Sequence, residues 1–207
     1  MTEKIRAGII GIGNQGYMYS RDEKRKQPAA HYNAYLAHSD KCEVVAVCDI
    51  DRAVVERFMN MEEYSGVKRP QWYLDYKQML REQSLDIISI VTPDPTHEQI
   101  GKDCILARPK VILWEKPFCL DLKQGEELIK LAQACNVKIA VNHQRRSDQI
   151  WNTLPAVFAD KGYGELVIAV AKCYGDGLRQ WVHMADLVNM FGIKDKCIFV
   201  PLQNVNY

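Results

Sequence analysis

Short apolar runs recur along the first two thirds of the chain and alternate with stretches in which apolar and polar residues mix. The runs are continuous rather than alternating, which is typical of parallel strands buried on both faces. They are Ile5–Ile10, Val44–Cys48, Ile87–Val91, Val111–Trp114 and Ile139–Val141. This pattern predicts an α/β fold with a doubly wound parallel sheet.

Helical stretches separate the strands. We predict helices over Arg52–Tyr64, Asp75–Gln83, His97–Ala107 and Leu122–Cys135. The last is the clearest, because its apolar positions 128, 131, 132 and 135 follow the spacing of one helical face. Asp121 is its expected N-cap, with Gln124 three residues later as in a capping box.

The pattern changes after about Asp148. We expect a helix over Ile150–Lys161, a break at Gly162 and Gly164, a strand over Glu165–Cys173, a helix over Trp181–Phe191 and a strand over Cys197–Pro201. The chain is therefore predicted to hold a first domain over residues 1–145 and an incomplete α/β domain over 146–207.

The first apolar run leads directly into a glycine-rich turn. The motif G-x-G-x-x-G is formed by Gly11, Gly13 and Gly16, with Asn14 and Gln15 inside it. We expect a helix to begin there, with its first N–H groups facing an anion such as a dinucleotide pyrophosphate. Gly11 permits the turn, Gly13 lets the phosphate approach, and Gly16 lets helix and strand pack closely. All five residues are predicted to bind the cofactor, and the first domain is predicted to be of the Rossmann type.

Asp49 ends the second predicted strand. An acidic residue there accepts hydrogen bonds from the adenosine ribose and repels a 2′-phosphate, which favours NAD, while nearby Arg52 leaves NADP open. Asp49 lies 33 residues after Gly16, against a usual spacing of about 20. We therefore expect a surface insertion at Arg21–Ala30. The alternative role for Asp49 is to cap the helix Arg52–Tyr64.

Polar residues follow three further strands, at the edge where open α/β sheets bind their ligands. They are Thr92, Pro93 and His97; then Glu115 and Lys116; then His143, Arg145 and Arg146. Either His97 faces the cofactor or it is a polar surface residue. Lys116 either assists proton transfer from a substrate hydroxyl or is a surface lysine. The arginines either clamp an anionic or polyhydroxylated substrate or form a solvated hinge.

His183 and Asp186 share one predicted helical face. They suit a general acid–base with its orienting partner, a pair of metal ligands, or the polar edge of a packed helix. Because two ligands alone do not make a metal site, no metal is predicted.

The composition limits the kinds of partner and the cellular compartment that the sequence predicts. The net charge of +1 gives no basis for a nucleic-acid or membrane partner. No apolar run approaches the roughly 20 residues that cross a bilayer. The seven cysteines are scattered without a C-x-x-C motif, and the first strand begins too close to Met1 for a signal peptide. We therefore expect a cytoplasmic protein.

Taken together, these segments resemble the Gfo/Idh/MocA family of NAD(P)-dependent oxidoreductases. The matching elements are Gly11–Gly16, Val44–Asp51, Thr92-Pro93 with His97, Glu115-Lys116-Pro117, Val141–His143 with Arg145-Arg146, and His183 with Asp186. Glu-Lys-Pro after a glycine loop is the specific signal. The segment Pro28–Tyr35 also resembles members with an extended first helix region.

The resemblance implies that the first domain binds the dinucleotide and that the second carries the substrate and subunit contacts. It implies hydride transfer between nicotinamide and a carbon of a sugar, sugar derivative or cyclitol. It implies that Lys116 binds and polarises the reacting hydroxyl and that His183 exchanges its proton. The cofactor contacts it implies beyond the glycine loop and Asp49 are Thr92, Pro93, His97, Glu115 and Lys116. The substrate contacts it implies are Lys116, His143, Arg145, Arg179 and His183.

Two departures from the family pattern keep alternatives open. Arg179 stands where many members have Asp or Asn, and Trp181 stands where Gly is common. Family members also continue further, so we expect an exposed partial sheet that favours a homo-oligomer. The alternatives are a cofactor-holding module or fragment without turnover, and a relative that uses NAD transiently in glycoside cleavage or sugar isomerisation.

Overall fold

The computed structural model describes residues 3–61, 68–160 and 177–191, together with Gly162 and Val170. The chain divides into two compact units, residues 1–142 and 143–207. The sequence pattern places the boundary after residue 145, and the assignment of a separate role to each domain stays a prediction.

In the described part of the first unit, six parallel strands form one sheet. They are β1 (Ile5–Ile10), β2 (Cys42–Cys48), β3 (Gln71–Tyr73), β4 (Ile87–Ile90), β5 (Val111–Trp114) and β6 (Lys138–Val141). Their order is β3-β2-β1-β4-β5-β6. The order reverses between β1 and β4, which is where such a sheet binds its ligand. The predicted doubly wound parallel sheet is confirmed, and only β3 is too short to stand out as an apolar run.

Among the residues that the structure describes, five α-helices connect these strands: α1 (His31–Ala37), α2 (Arg52–Met59), α3 (Tyr76–Glu82), α4 (His97–Leu106) and α5 (Leu122–Ala134). Aspartate carboxylates cap three of them. Asp51, Asp75 and Asp121 accept backbone N–H bonds from Ala53, Lys77 and Gln124 at 2.9, 2.8 and 3.1 Å. The predicted cap at Asp121 is confirmed. The predicted end of α2 at Tyr64 is wrong, because Asn60 already ends it with an N–H bond to the Glu56 carbonyl.

The hydrophobic core lies on both faces of the sheet. Successive strand residues point to opposite faces, so Ile9 and Ile10 belong to different clusters. On one face the strands pack against α3, α4 and α5, and on the other against α1 and α2. Trp114 and Tyr17 are the largest aromatic side chains fully buried on the two faces. Burial on both sides explains why the strands are continuously apolar.

The helix expected directly after the glycine loop is interrupted. One helical turn forms, with the Tyr17 N–H bonded to the Gly13 carbonyl at 2.9 Å, and a 3-10 turn over Met18–Arg21 follows. An insertion follows, and helical structure resumes at α1, where the His31 N–H donates to the Gln15 carbonyl at 3.0 Å. In an uninterrupted α-helix, residue 19 would donate to the Gln15 carbonyl. His31 does so here, 12 positions later, so the insertion adds 12 residues. Without them Asp49 would lie 21 residues after Gly16, at the usual spacing of about 20.

The second unit holds two described helices, α6 (Gln149–Asp160) and α7 (Gly177–Met190). The break predicted at Gly162 is present, since that residue has φ +64° just after α6. Helix α7 begins four residues earlier than predicted. Apart from Val170, the strands predicted over Glu165–Cys173 and Cys197–Pro201 lie outside the described residues. Among the residues that the structure describes, no helix is long and apolar enough to span a bilayer.

Candidate functional site

The glycine loop lies at the end of β1, and each glycine meets a different environment. A Cβ atom at Gly11 would lie 2.5 Å from the Val91 carbonyl oxygen, and one at Gly16 would lie 2.2 Å from the Gly11 carbonyl oxygen. Gly11 also has φ +91°, which favours glycine. A Cβ at Gly13 would meet no atom within 4 Å. Packing therefore demands two of the glycines, whereas Gly13 borders open space that suits a phosphate.

Asp49 lies beside this loop at the end of β2. One carboxylate oxygen accepts the Ile12 N–H at 3.0 Å, and the other accepts the Asp51 N–H at 3.0 Å. The alternative that Asp49 caps α2 is wrong, because the cap is Asp51. A carboxylate fixed next to the phosphate turn fits the ribose of a dinucleotide.

His97 connects two loops at the same sheet edge. Its ring is only 1% exposed. Nδ1 lies 2.8 Å from the Pro117 carbonyl oxygen after β5, and Nε2 lies 2.9 Å from the Thr92 carbonyl oxygen after β4. The alternative that His97 is a surface residue is wrong. The geometry suits a residue that positions Thr92, Pro93 and Pro117, and its direct contact with a cofactor stays a prediction.

Glu115 is buried at the end of β5 and carries two hydrogen bonds. Its Oε1 accepts from His31 Nε2 at 3.0 Å and from Asn142 Nδ2 at 2.7 Å. Burial alone would raise the pKa of this carboxyl, but the bonds from His31 and Asn142, together with the Lys116 charge, lower it below its ordinary value. Glu115 is therefore a carboxylate at neutral pH, directly before Lys116 in the chain.

The hydrogen bonds continue from Glu115 across the sheet. His31 Nδ1 lies 3.2 Å from the Ser89 hydroxyl, which lies 2.8 Å from the Tyr35 hydroxyl. Burial raises the pKa of Tyr35 to about 12, so this hydroxyl remains a donor. One direction satisfies every group: Tyr35 donates to Ser89, Ser89 donates to His31, and His31 donates to Glu115. We call these four residues with Asn142 the His31 network.

Lys116 follows Glu115 and is half-buried at the carboxyl edge of β5. Its ammonium makes no hydrogen bond or ion pair with another of the described side chains. The predicted site residues Gly11, Gly13, Asn14, Gln15, Gly16, Asp49, Thr92, Pro93, His97, Glu115 and Lys116 all belong to the first unit. They come from β1, β2, β4 and β5, whose carboxyl ends meet at one edge.

A second polar cluster lies in the second unit. Asp186 of α7 accepts from Arg146 Nε at 2.7 Å and lies 3.6 Å from His143 Nδ1. The hydrogen bond to Asp186 raises the pKa of the Arg146 guanidinium. The rings of His143 and His183 pack edge to face with centroids 6.1 Å apart. Asp186 therefore has two partners, Arg146 and His143, that helical spacing did not predict.

The other predicted substrate residues also lie in the second unit. Arg145 is in the 3-10 turn Gln144–Ser147, and its Nη1 is buried without a hydrogen-bond partner among the described residues. The Arg179 side chain is outside the described part. Lys116 belongs to the first unit and His183 to the second, so their pairing stays a prediction. In the described ranges no three His, Cys, Asp or Glu side chains group to hold a metal.

The sequence pattern does not single out His31, Ser89 or Tyr35 as site residues. His31 and Glu115 are 84 residues apart, so no local spacing joins them. One signal was available: Ser89 is a hydroxyl inside the apolar strand Ile87–Ile90, and a fully buried hydroxyl needs a partner.

The sheet order, the glycine loop and Asp49 together define a dinucleotide-binding protein of the Rossmann type. Residues 5–143 match the Gfo/Idh/MocA family, an oxidoreductase family with an NAD-binding Rossmann fold. The chain belongs to this family. The match confirms the predicted family and fold, and NAD agrees with the family's description.

Similar proteins include enzymes of two kinds. Inositol 2-dehydrogenase of Arthrobacter sp. (strain FB24) is 28% identical over 169 residues, which cover 81% of this chain and 45% of that protein. A glycosyl hydrolase family 109 protein of Shewanella woodyi is 25% identical over 170 residues, which cover 78% of this chain and 33% of that protein.

A solved structure shows the same likeness. The WlbA dehydrogenase from Chromobacterium violaceum, crystallised with NADH and UDP-GlcNAcA, superposes with a TM-score of 0.63 at 25% identity. The match covers 79% of this chain and 42% of that one. The matched part of this chain therefore spans less than half the length of each of the three proteins.

Proposed function

We propose that this chain holds NAD at the carboxyl edge of its first unit and takes part in hydride transfer to or from a hydroxyl-bearing carbon of a sugar, sugar derivative or cyclitol. One observation carries the proposal: Gly13 borders open space, while Asp49 is fixed on the backbone N–H of Ile12, the residue before Gly13 in the same loop. That arrangement leaves room for a pyrophosphate and places a carboxylate for the ribose.

The charges beside Asp49 favour NAD over NADP. The carboxylate repels a 2′-phosphate, and Arg52, the nearby cation, has other partners. Its guanidinium lies 5.6 Å from the Trp72 ring centroid and 3.8 Å from the Glu56 carboxylate. Arg52 is exposed, so these contacts are weak, and NADP binding is expected to be weaker rather than absent.

The proposed chemistry needs a group that holds the substrate hydroxyl and a group that moves its proton. When bound, NAD supplies the hydride acceptor at its nicotinamide ring. Lys116 donates a hydrogen bond to the reacting hydroxyl oxygen and stabilises the negative charge that develops there. The His183 imidazole accepts the hydroxyl proton as the C–H bond breaks, and it returns the proton in the reverse direction. The inositol and WlbA dehydrogenases support a polyol or sugar substrate.

The test replaces Lys116 and compares binding with turnover. Lys116→Met should abolish hydride transfer, followed as NADH absorbance with a panel of polyols and sugar derivatives. The affinity for NAD⁺, measured by calorimetry, should change less than threefold, since the phosphate and ribose contacts remain. Lys102→Met, an exposed lysine on α4, is the matched control and should keep the wild-type rate. A Lys116→Met protein with the wild-type rate would rule out the assigned role.

A second candidate is glycoside cleavage with transient use of NAD. The similarity to a glycosyl hydrolase family 109 protein favours it. This reaction predicts NAD that copurifies with the protein and no net change in NADH during turnover. Release of a sugar from a chromogenic glycoside, without NADH accumulation, would select it over dehydrogenation.

The third possibility is a cofactor-binding module without turnover. Arg179 and Trp181, which depart from the family pattern near His183, support it. It predicts saturable NAD⁺ binding and no reaction with any polyol or glycoside in the panels. The homo-oligomer and the cytoplasmic location stay predictions, which light scattering and cell fractionation would test.

A further inference from the structure

The His31 network joins parts of the fold that are distant in sequence. It runs from α1 through β4 and β5 to the residue after β6, and His31 and Glu115 are both less than a tenth exposed. A buried carboxylate without partners is costly, so its position follows the groups that bind it. For Glu115 those groups are His31 and Asn142.

His31 contacts the candidate site through its backbone and through its ring. Its backbone N–H donates to the carbonyl of Gln15 in the glycine loop at 3.0 Å. Its ring donates to Glu115, the residue before Lys116, at 3.0 Å. A single residue therefore bridges the phosphate-binding turn and the turn that carries the lysine.

This bridge depends on the insertion that interrupts the first helix. The chain leaves after the turn at Gly13–Tyr17 and returns with His31 as the first residue of α1. The backbone bond to Gln15 fixes where the helix restarts, and the restart sets the position of the imidazole under the carboxyl edge of β4 and β5.

We propose that His31 is a positioning residue: anchored on the glycine loop by its backbone, it holds Glu115 with its ring and so sets where the Lys116 ammonium stands. This inference rests on the role proposed for Lys116. His31 does not touch the reacting atoms in this account. It acts through Glu115, whose carboxylate also attracts the neighbouring ammonium.

Two substitutions separate the two ring contacts of His31. The amide nitrogen of Gln occupies a place similar to Nε2, so His31→Gln keeps the bond to Glu115 and loses the bond to Ser89. The amide oxygen of Asn occupies a place similar to Nδ1, so His31→Asn still accepts the hydrogen bond from Ser89 and cannot reach Glu115. Both variants bury a polar amide of similar chemistry, which makes each the control for the other.

The measurement is the NMR signal of Lys116 after ¹³C-methylation of the lysines, assigned by its loss in Lys116→Arg. We expect His31→Gln to keep the wild-type Lys116 signal and His31→Asn to shift it, in protein free of NAD and substrate. His38→Asn, at the exposed end of the same helix, should match the wild type. An unshifted signal in His31→Asn, or equal shifts in both His31 variants, would overturn the proposal.

Kinetics supply a second readout. With an accepted substrate, His31→Asn should lower kcat at least tenfold relative to His31→Gln, while the Kd for NAD⁺ changes less than threefold. Equal kcat values in the two variants would contradict the positioning role. If the wild type performs no hydride transfer, the proposed function fails, but the Lys116 signal still decides whether His31 positions the lysine.

Discussion

Alanine at Gly13 should separate nucleotide binding from folding. A Cβ at this position meets no atom within 4 Å, so the folded chain accommodates it. Gly13 lacks the positive φ of Gly11, so alanine fits its backbone conformation without strain. Alanine also restricts the conformations of the unfolded chain, which favours the folded state. We expect Gly13→Ala to be as stable as the wild type or more stable by about 0.4–1 kcal/mol.

The same methyl group enters the space that the proposed pyrophosphate occupies. Loss of close phosphate approach should raise the Kd for NAD⁺ at least tenfold, which corresponds to about 1.4 kcal/mol. Gly16→Ala is the contrasting variant. Its Cβ would lie 2.2 Å from the Gly11 carbonyl oxygen and 2.7 Å from the Ile12 Cα, both backbone atoms that cannot rotate away. Overpacking of this kind costs about 1–3 kcal/mol or more.

Urea unfolding and calorimetric titration of both variants provide the assay. The expected pattern is a Gly13→Ala protein that folds normally and binds NAD⁺ weakly, beside a Gly16→Ala protein that is destabilised. Gly13→Ala with NAD⁺ affinity within twofold of the wild type would refute the assignment of the phosphate site. A destabilised Gly13→Ala would refute the inference that its Cβ has free space.

Three further predictions concern aspartates with defined partners. Asp49→Asn removes the charge that repels a 2′-phosphate, so the ratio of NADP⁺ to NAD⁺ dissociation constants should fall several-fold in paired titrations; an unchanged ratio would contradict the ribose assignment. Asp121→Ala removes the cap of α5 and should cost about 1 kcal/mol, or roughly 2–4 °C in Tm, with NAD⁺ affinity unchanged; no loss of Tm would show that the cap does not stabilise the helix. The Arg6 N–H and the Lys110 ammonium hold the pKa of Asp86 below its ordinary 3.8, so its stabilisation is complete above pH 3.8 and is lost as pH falls through the lowered value. Urea midpoints should therefore show Asp86→Asn less stable at pH 7, with a difference that narrows below pH 4; a constant difference would contradict the shift.

Local chemistry predicts much of this fold. Continuous apolar runs predict the buried parallel strands, because both faces of the sheet are covered. Asp121 predicts the start of α5, since a carboxylate that accepts the first free N–H groups acts within three residues. The glycine loop likewise predicts which edge of the sheet binds the nucleotide. Atoms of the loop itself and of the adjacent strand decide where glycine is required.

Long-range contacts account for what sequence patterns miss. The spacing from Gly16 to Asp49 indicates an insertion, but only the bond between His31 and Gln15 shows where the helix resumes. The contact between His31 and Glu115 depends on the sheet order, which brings residues 84 positions apart together. Asp186 shares a helical face with His183, yet its ion pair with Arg146 comes from a separate turn. Helical spacing cannot reveal such a partner.

The most direct test of the account is calorimetric titration of the 207-residue protein, shown to be folded and free of nucleotide, with NAD⁺ and NADP⁺. The account predicts saturable binding of one NAD⁺ per chain, tighter than that of NADP⁺, since the glycine loop and Asp49 form the site. Absence of NAD⁺ binding to the folded, nucleotide-free protein would contradict it.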